Sequence, residues 1–437
     1  MHVPADNYKV AIIGGGILGT SIAYFMSAHA RDPESIVLVE QETNIAQHTS
    51  SRNTGKVHAP FLYDPVKKKL FAKAAALGYE MWFKFAEQKG LVFKRDGVLE
   101  VAVDDRGVDR LCKYMQWGEA NGLAKSELQL LGKGEVARME PNVRCESAIY
   151  CSKDASVDYG SLALALLDDL QSFGCKLVLG QRAIRVSFAN NSCAITTQQG
   201  MGIKANYLVN VAGGNSMDIA HSMGVAQDYT DLHFRGEYWQ APPPYHDLTK
   251  LSIYSVPKQP EYPFLDPHWI VRADGRREVG PNAIPVFGPY AYNWRKNLAD
   301  MLPKLMESSR TGARKVFFDR QFLSLASTEL KSSLSKAAMI NRVREFLPQI
   351  RPAAFITRGT SGIRSSVIDK TGKFVPDTLV LREGSSLHVL NYNSPGATGA
   401  LPIAAKIASQ IMQAGELPAI DKPRSLWDAT AIADKMS

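Results

Sequence analysis

Between Tyr8 and Gln41 an apolar run, three spaced glycines, a helical repeat and a second apolar run follow one another: YKVAIIGGGILGTSIAYFMSAHARDPESIVLVEQ. A chain with that order is held to a strand, a tight turn, a helix and a second strand, one β-α-β unit. Gly14, Gly16 and Gly19 meet the G-x-G-x-x-G spacing at the junction of strand and helix. The first glycine permits the turn, the second lets backbone N–H groups approach a pyrophosphate, and the third lets helix and strand pack closely. The phosphates then lie on the positive end of a helix starting near Ile17. Glu40 closes the second strand roughly 20 residues after Gly19, where a carboxylate accepts both hydroxyls of an adenosine ribose. A dinucleotide is therefore expected, with NAD and FAD both open.

The chain of 437 residues is long enough for two or three domains, each with its own core. Its composition, 45% hydrophobic and 22% charged, is that of a soluble globular protein, and no apolar run reaches the length of a membrane span. The fingerprint strand lies so near Met1 that no leader segment is expected, and the reading is cytoplasmic. Five cysteines, Cys112, Cys145, Cys151, Cys175 and Cys193, show neither a C-x-x-C pair nor zinc spacing, so neither a disulfide framework nor a metal site is expected. A net charge of +8 suits anionic substrates, peripheral contact at the inner face of a membrane, or a plain solvated surface. Nothing resembles a nucleic-acid-binding signature.

Residues 41–65 form a polar loop, long and rich in Ser, Thr and Asn, as functional loops often are. A helix is expected from Pro65, with Val66, Leu70, Ala74, Leu77 and Met81 on one face and Lys67, Lys68 and Lys69 solvated at its start. Asp96-Gly97 reads as a hairpin turn inside residues 93–103. Helices follow over 106–121 and 159–173, strands over 175–179, 183–188 and 193–197 with a turn at Asn190-Asn191, and a buried strand over 207–212 running into Gly213-Gly214. Residues 231–350 mix short strands and Pro-rich turns with helices over 294–310 and 334–346. The end of the chain brings glycine turns at 359–362, a strand over 387–391 and a helix of small residues opened by residues 394–398.

The fingerprint, the loop carrying Asn53, Gly55 and His58, and the segments 234–238, 262–265, 279–283, 362–364 and Asn391 with Ser394-Pro395 together resemble the D-amino-acid-oxidase superfamily of FAD enzymes. Within it they are most similar to the L-2-hydroxyglutarate dehydrogenases and oxidases, over about residues 8 to 412. The resemblance implies an α/β protein with an α+β substrate part: a Rossmann-like FAD-binding domain (residues 1–90, 151–230 and 351–437) and a second domain with a mixed or antiparallel sheet (91–150 and 231–350). It implies non-covalent FAD, held by Gly14, Gly16, Gly19 and Glu40 at the ADP half and by Ser50, Asn53 and Gly55 near the pyrophosphate and flavin. Ala183 faces the adenine and Ala212-Gly213 the phosphates. Gly362, Gly396, Ala397 and Thr398 lie near the ribityl chain and flavin carbonyls.

The reaction so implied is oxidation of a carbinol carbon, with electrons passed on to a quinone, another acceptor or oxygen. His58 and His268 match the family's histidine positions, one as base and the other as an orienting group. Arg364 matches its carboxylate clamp, and Tyr254 belongs with the substrate. Lys56 departs from the family's apolar residue and is expected to reach a second carboxylate or a phosphate. Pro60, Asp266-Pro267, Ser365-Ser366 and Tyr392-Asn393 also depart from the pattern. A glycerol-3-phosphate dehydrogenase, a glycine or sarcosine-type amine oxidase, and a flavin-binding protein without turnover stay open.

Overall fold

The computed structural model describes residues 7–189, 192–259, 262, 266–393 and 396–437. The turn at Asn190-Asn191, residues 263–265 and Ser394-Pro395 lie outside the described residues.

The fingerprint forms strand β1 (Asn7–Ile13), helix α1 (Ile17–His29) and strand β2 (Ile36–Val39). β1 pairs in parallel with β2 on one edge and with the Gly202–Asn210 strand on the other. Lys176–Val178 extends the sheet beyond β2, and Ser386–Asn391 extends it in parallel beyond Gly202–Asn210. The chain thus builds outward from β1 in one direction and then in the other, so strand order reverses beside β1.

Both faces of this sheet are covered, which is why β1 and β2 read as continuous apolar runs. Val10, Ile12, Ile36 and Leu38 join a core with α1, the Tyr159–Phe173 helix and the Ala400–Gln413 helix. Ala11, Ile13, Val37 and Val39 face the opposite way, against Val186, Cys193, Ile195 and Ile219. All of α1 is buried, as expected of a helix with apolar or small residues on every side.

A second sheet of eight strands mixes pieces remote in sequence. Val98–Ala102 pairs in parallel with Ser252–Ser255 and antiparallel with Ser147–Cys151. His268–Val271 and Arg277–Gly280 continue it, and Trp239–Gln240 and Thr357–Arg358 form its far edge. One face packs on Met339, Ile340 and Val343 of the Lys336–Val343 helix. A smaller sheet joins Tyr229–Gly236 to Gly362–Asp369 and Ile284–Val286. Another joins β3 (Lys56–Val57) to Ala155–Val157 and Phe93–Lys94.

Two local expectations change. The helix expected from Pro65 is α2 (Lys69–Lys89), because Asp64 first captures the N–H groups of Val66 and Lys67 in a separate turn, leaving Val66 84% exposed. Asp96-Gly97 makes no hairpin: Phe93–Lys94 and Val98–Ala102 belong to different sheets, and the Gly97 N–H donates to the Asp154 carbonyl instead.

The closest backbone approach is at α1. A Cβ on Gly19 would lie 1.8 Å from the Gly14 carbonyl oxygen. Replacing Gly19 with Ala must push α1 off β1, and the expected loss is about 1–3 kcal/mol or more of unfolding free energy. Urea titration of the two proteins measures it.

Candidate active site

A cleft opens at the carboxyl ends of β1 and the Gly202–Asn210 strand, where strand order reverses. Open α/β sheets hold ligands at such a switch point. Gly14, Gly16, Glu40, Ser50, Ala183, Ala212 and Gly213, all expected to hold cofactor, line it together. Gly14 needs its left-handed φ of +112° to turn the chain here, and a Cβ on it would strike the Val211 carbonyl at 2.4 Å. Ser50 Oγ accepts from the Ile17 N–H at 2.9 Å, which puts a hydroxyl on the positive end of α1.

The Glu40 carboxylate accepts from Gly15 N at 2.6 Å and from Glu42 N at 2.9 Å, one bond to each oxygen. Each oxygen keeps a second lone pair for a ribose hydroxyl. Burial pushes the Glu40 pKa up, while these N–H groups and nearby His48 oppose it. Residues that no motif flagged close the outer side. The His48 ring lies 4.4 Å from that of Tyr290 and stacks on Tyr292 at 5.8 Å, and Tyr290 Oη accepts from Asn215 Nδ2 at 2.9 Å. The Asn215–Tyr290 contact spans 75 positions and the His48–Tyr292 contact 244, so no local pattern could reveal them.

A second constellation gathers around β3. His58 follows β3, and its backbone N–H donates to Thr398 Oγ1 at 3.0 Å. The Tyr159 hydroxyl bonds both Thr398 Oγ1 and the Lys56 carbonyl at 3.2 Å, and Trp82 Nε1 donates to the Ala397 and Thr398 carbonyls at 3.0 Å. The turn ahead of the Ala400–Gln413 helix is thereby fastened to the His58 segment. His58 Nδ1 stands 3.4 Å from Oδ2 of Asp154, a fully buried residue in the turn between two short strands. The Tyr254 ring lies 4.2 Å from His268 and 6.0 Å from His58. Arg364, on the Gly362–Asp369 strand, is within electrostatic reach of His268 and Tyr238.

His58 Nδ1, Tyr254 Oη and His268 Nδ1 are buried without a hydrogen-bond partner. Asp154 stands opposite the first of these, and each of the other two costs about 1–3 kcal/mol if it stays unmet, so Tyr254 and His268 side by side mark a site for a polar ligand. Burial holds His268 down to about 3, with Asp266 opposing, so its imidazole is neutral at physiological pH. Burial also brings Arg364 down to about 10, still cationic there.

Several residues expected at the site make other contacts within the protein. Lys56 is engaged within the protein: its side chain is 0% exposed, with Nζ 3.3 Å from Asp96 and 4.0 Å from Asp154. A lysine placed between two buried carboxylates is held there by charge. Asn53 staples its own loop, donating to the Thr49 and Ser50 carbonyls and accepting from Gly55 N at 2.8 Å. Gly55 and Gly362 serve close chain packing, against the carbonyls of Val157 and Arg52. Gly396 packs against the ring of Tyr392. Lys68, expected on a solvated face, is half-buried beside Arg364, and burial lowers its pKa. Among the described residues no cluster of His, Cys, Asp or Glu is placed to hold a metal ion.

The family described as FAD dependent oxidoreductase matches residues 9–410. The chain belongs to that family. It is 30% identical over 439 residues to the mitochondrial L-2-hydroxyglutarate dehydrogenase of Homo sapiens, covering 94% of this chain and 90% of that one. To the L-2-hydroxyglutarate dehydrogenase of Indibacter alkaliphilus it is 30% identical over 404 residues, covering 92% and 98%. Its fold matches the FAD-bound, dithionite-reduced L-α-glycerophosphate oxidase of Mycoplasma pneumoniae with a TM-score of 0.75 at 19% identity, covering 97% and 98%. The protein is an FAD-dependent oxidoreductase, and the cleft fits the ADP half of FAD: open glycine backbone at a helix N-terminus, with a carboxylate at ribose distance.

Lys56→Met leaves Asp96 and Asp154 without their cation. The expected loss is about 3–5 kcal/mol of stability, read by denaturant unfolding, with little change in KM for an anionic substrate in the protein that stays folded.

Proposed function

We propose that this protein oxidises an L-2-hydroxy acid, L-2-hydroxyglutarate or a close relative, to the 2-oxo acid. The observation that carries this reading is His58 backed by buried Asp154, clustered with the rings of Tyr254 and His268, whose polar atoms are unpaired, and with Arg364 within electrostatic reach. Dehydrogenases of L-2-hydroxyglutarate among the relatives support it.

FAD, when bound, supplies the acceptor for the hydride that leaves the carbinol carbon. Arg364 binds the substrate carboxylate through its planar fork. His58 Nε2 takes the hydroxyl proton, and Asp154 opposite Nδ1 stabilises the imidazolium that results. His268 serves less well as base, since a group held near 3 is a weak proton acceptor at pH 7. It remains neutral and, with Tyr254, hydrogen-bonds the substrate oxygen. Loss of the hydroxyl proton and of the hydride leaves the C=O double bond of the 2-oxo acid. The FAD is read as non-covalent, and the sheet around β1 as the cofactor-binding part opposite a substrate-binding sheet. A phosphate-bearing substrate is less favoured, because Lys56 is already engaged.

Electrons then pass to a quinone, another acceptor or oxygen. Peripheral membrane contact is supported by the Trp294–Arg310 helix: Trp294, Leu298, Leu302 and Met306 recur at four-residue spacing and are 51%, 60%, 65% and 52% exposed. Phe318 and Leu334 add 79% and 74% exposed apolar side chains nearby in sequence, interleaved with Arg295, Lys296, Arg314, Lys315 and Arg320. A basic rim around an apolar stripe suits an anionic bilayer surface. Among the described residues no helix is long and apolar enough to cross a membrane.

Anaerobic addition of L-2-hydroxyglutarate should bleach the flavin absorbance. No bleaching at millimolar concentration would exclude that substrate. His58→Asn should keep its FAD and lose about 10²–10⁴-fold in kcat. Cosedimentation with phosphatidylglycerol vesicles should fall in a Leu298→Glu, Leu302→Glu double variant whose flavin reduction is unchanged.

A further inference from the structure

The Val98–Ala102 strand runs between Ser252–Ser255 and Ser147–Cys151, with Glu100 in register with Tyr254 on one side and Ile149 on the other. Tyr254 lies against His268 on the next strand, ring to ring at 4.2 Å. One row of the sheet therefore points His268, Tyr254 and Glu100 to the same face, since residues opposite one another on adjacent strands project together. The surroundings on that face are apolar: Val98, Ala102, Ile149, Cys151 and Ile270.

Glu100 is 2% exposed, and among the described residues no hydrogen bond or ion pair reaches its carboxyl. The groups around it are Tyr114 from the Asp105–Ala120 helix, Tyr254 and His268 from the sheet, Asp154 from the turn behind His58, and Asp266 ahead of His268. None of them is a cation at neutral pH. Burial, reinforced by Asp154 and Asp266, pushes Glu100 up to about 8, so it is mostly the neutral acid at pH 7. A neutral acid is a hydrogen-bond donor, and this one has nothing in the protein to donate to.

We propose that Glu100 donates a hydrogen bond to the distal carboxylate of a dicarboxylate substrate and so selects dicarboxylates over monocarboxylates. This rests on the reading of the pocket as a hydroxy-acid site with Arg364 on the first carboxylate. From His268, beside Arg364, to Glu100 is two strand spacings, about 10 Å. A five-carbon dicarboxylate bridges such a span with a hydrogen bond at each end. Once ionised, Glu100 faces the substrate's carboxylate as a like charge and binding weakens. A ligand carrying an ammonium group there would show the opposite sign, binding better as pH rises.

The test uses the FAD-loaded protein and reads the flavin spectrum during titration with glutarate, which has both carboxylates but no hydroxyl to oxidise, and with butyrate, which has one carboxylate. Glutarate Kd should rise about tenfold from pH 7 to pH 9 in the native protein. In Glu100→Gln, which keeps a donor but cannot ionise, it should stay flat and near the native value at pH 7. Glu100→Ala should weaken glutarate about tenfold at pH 7 and leave butyrate unchanged. The proposal is overturned if glutarate does not bind, if its affinity is flat in the native protein, if Glu100→Gln keeps the pH dependence, or if Glu100→Ala weakens both ligands alike. Because glutarate binding is read without turnover, failure of L-2-hydroxyglutarate to reduce the flavin would remove the substrate reading and leave this result standing.

Discussion

The parallel pairing of β1 with the Gly202–Asn210 strand sets the position of everything chemical in this protein. Its register, Ile13 opposite Asn210, brings two strand ends level, so Gly14 turns away directly against Val211. That contact leaves no room for a side chain on Gly14 and none on Gly19 above it, and helix α1 is driven down onto the strand with its N-terminus open to the cleft. The sheet's reversal of direction beside β1 is what leaves the cleft uncovered. The cofactor cradle is thus a consequence of backbone packing, with Glu40 and Ser50 adding the polar contacts.

Around β3 the controlling element is a buried charge. Asp154 is fully buried, with Lys56 on one side and His58 on the other. An unpaired carboxylate would be too costly there, and the lysine makes its ionised form tolerable. That carboxylate faces the Nδ1 atom of His58. A residue that reads in the sequence as an extra substrate ligand therefore acts from behind the site. Glu100 shows the converse: with no cation beside it, the same low dielectric keeps a carboxyl in its acid form.

Much of the cofactor half was legible in the chain because its determinants are local. The spacing of Gly14, Gly16 and Gly19, the apolar runs on either side and Glu40 at the end of β2 fall within one β-α-β unit, where period and turn chemistry suffice. The second eight-stranded sheet and the cluster beside it were less legible. That sheet joins strands separated by more than a hundred residues, so Asp154 and Glu100 sat in stretches without a motif, and Lys56 carried a position in a motif without a direction. The Asp96-Gly97 pair shows the same limit: it has the composition of a hairpin turn, yet its flanking strands find partners in two different sheets.

The sequence alone determined that the chain carries a dinucleotide-binding unit, where it begins and which glycines it cannot spare, since steric exclusion around a tight turn depends on residues a few positions apart. Resemblance to a known family, not spacing or periodicity, pointed to His58, His268, Tyr254 and Arg364. Tertiary structure decided what those side chains face: Asp154 behind one histidine, apolar burial around the other, Lys56 turned inward, Tyr290 and Tyr292 over the cleft. Charge and burial are properties of neighbours in space, and in this fold those neighbours come from distant parts of the chain.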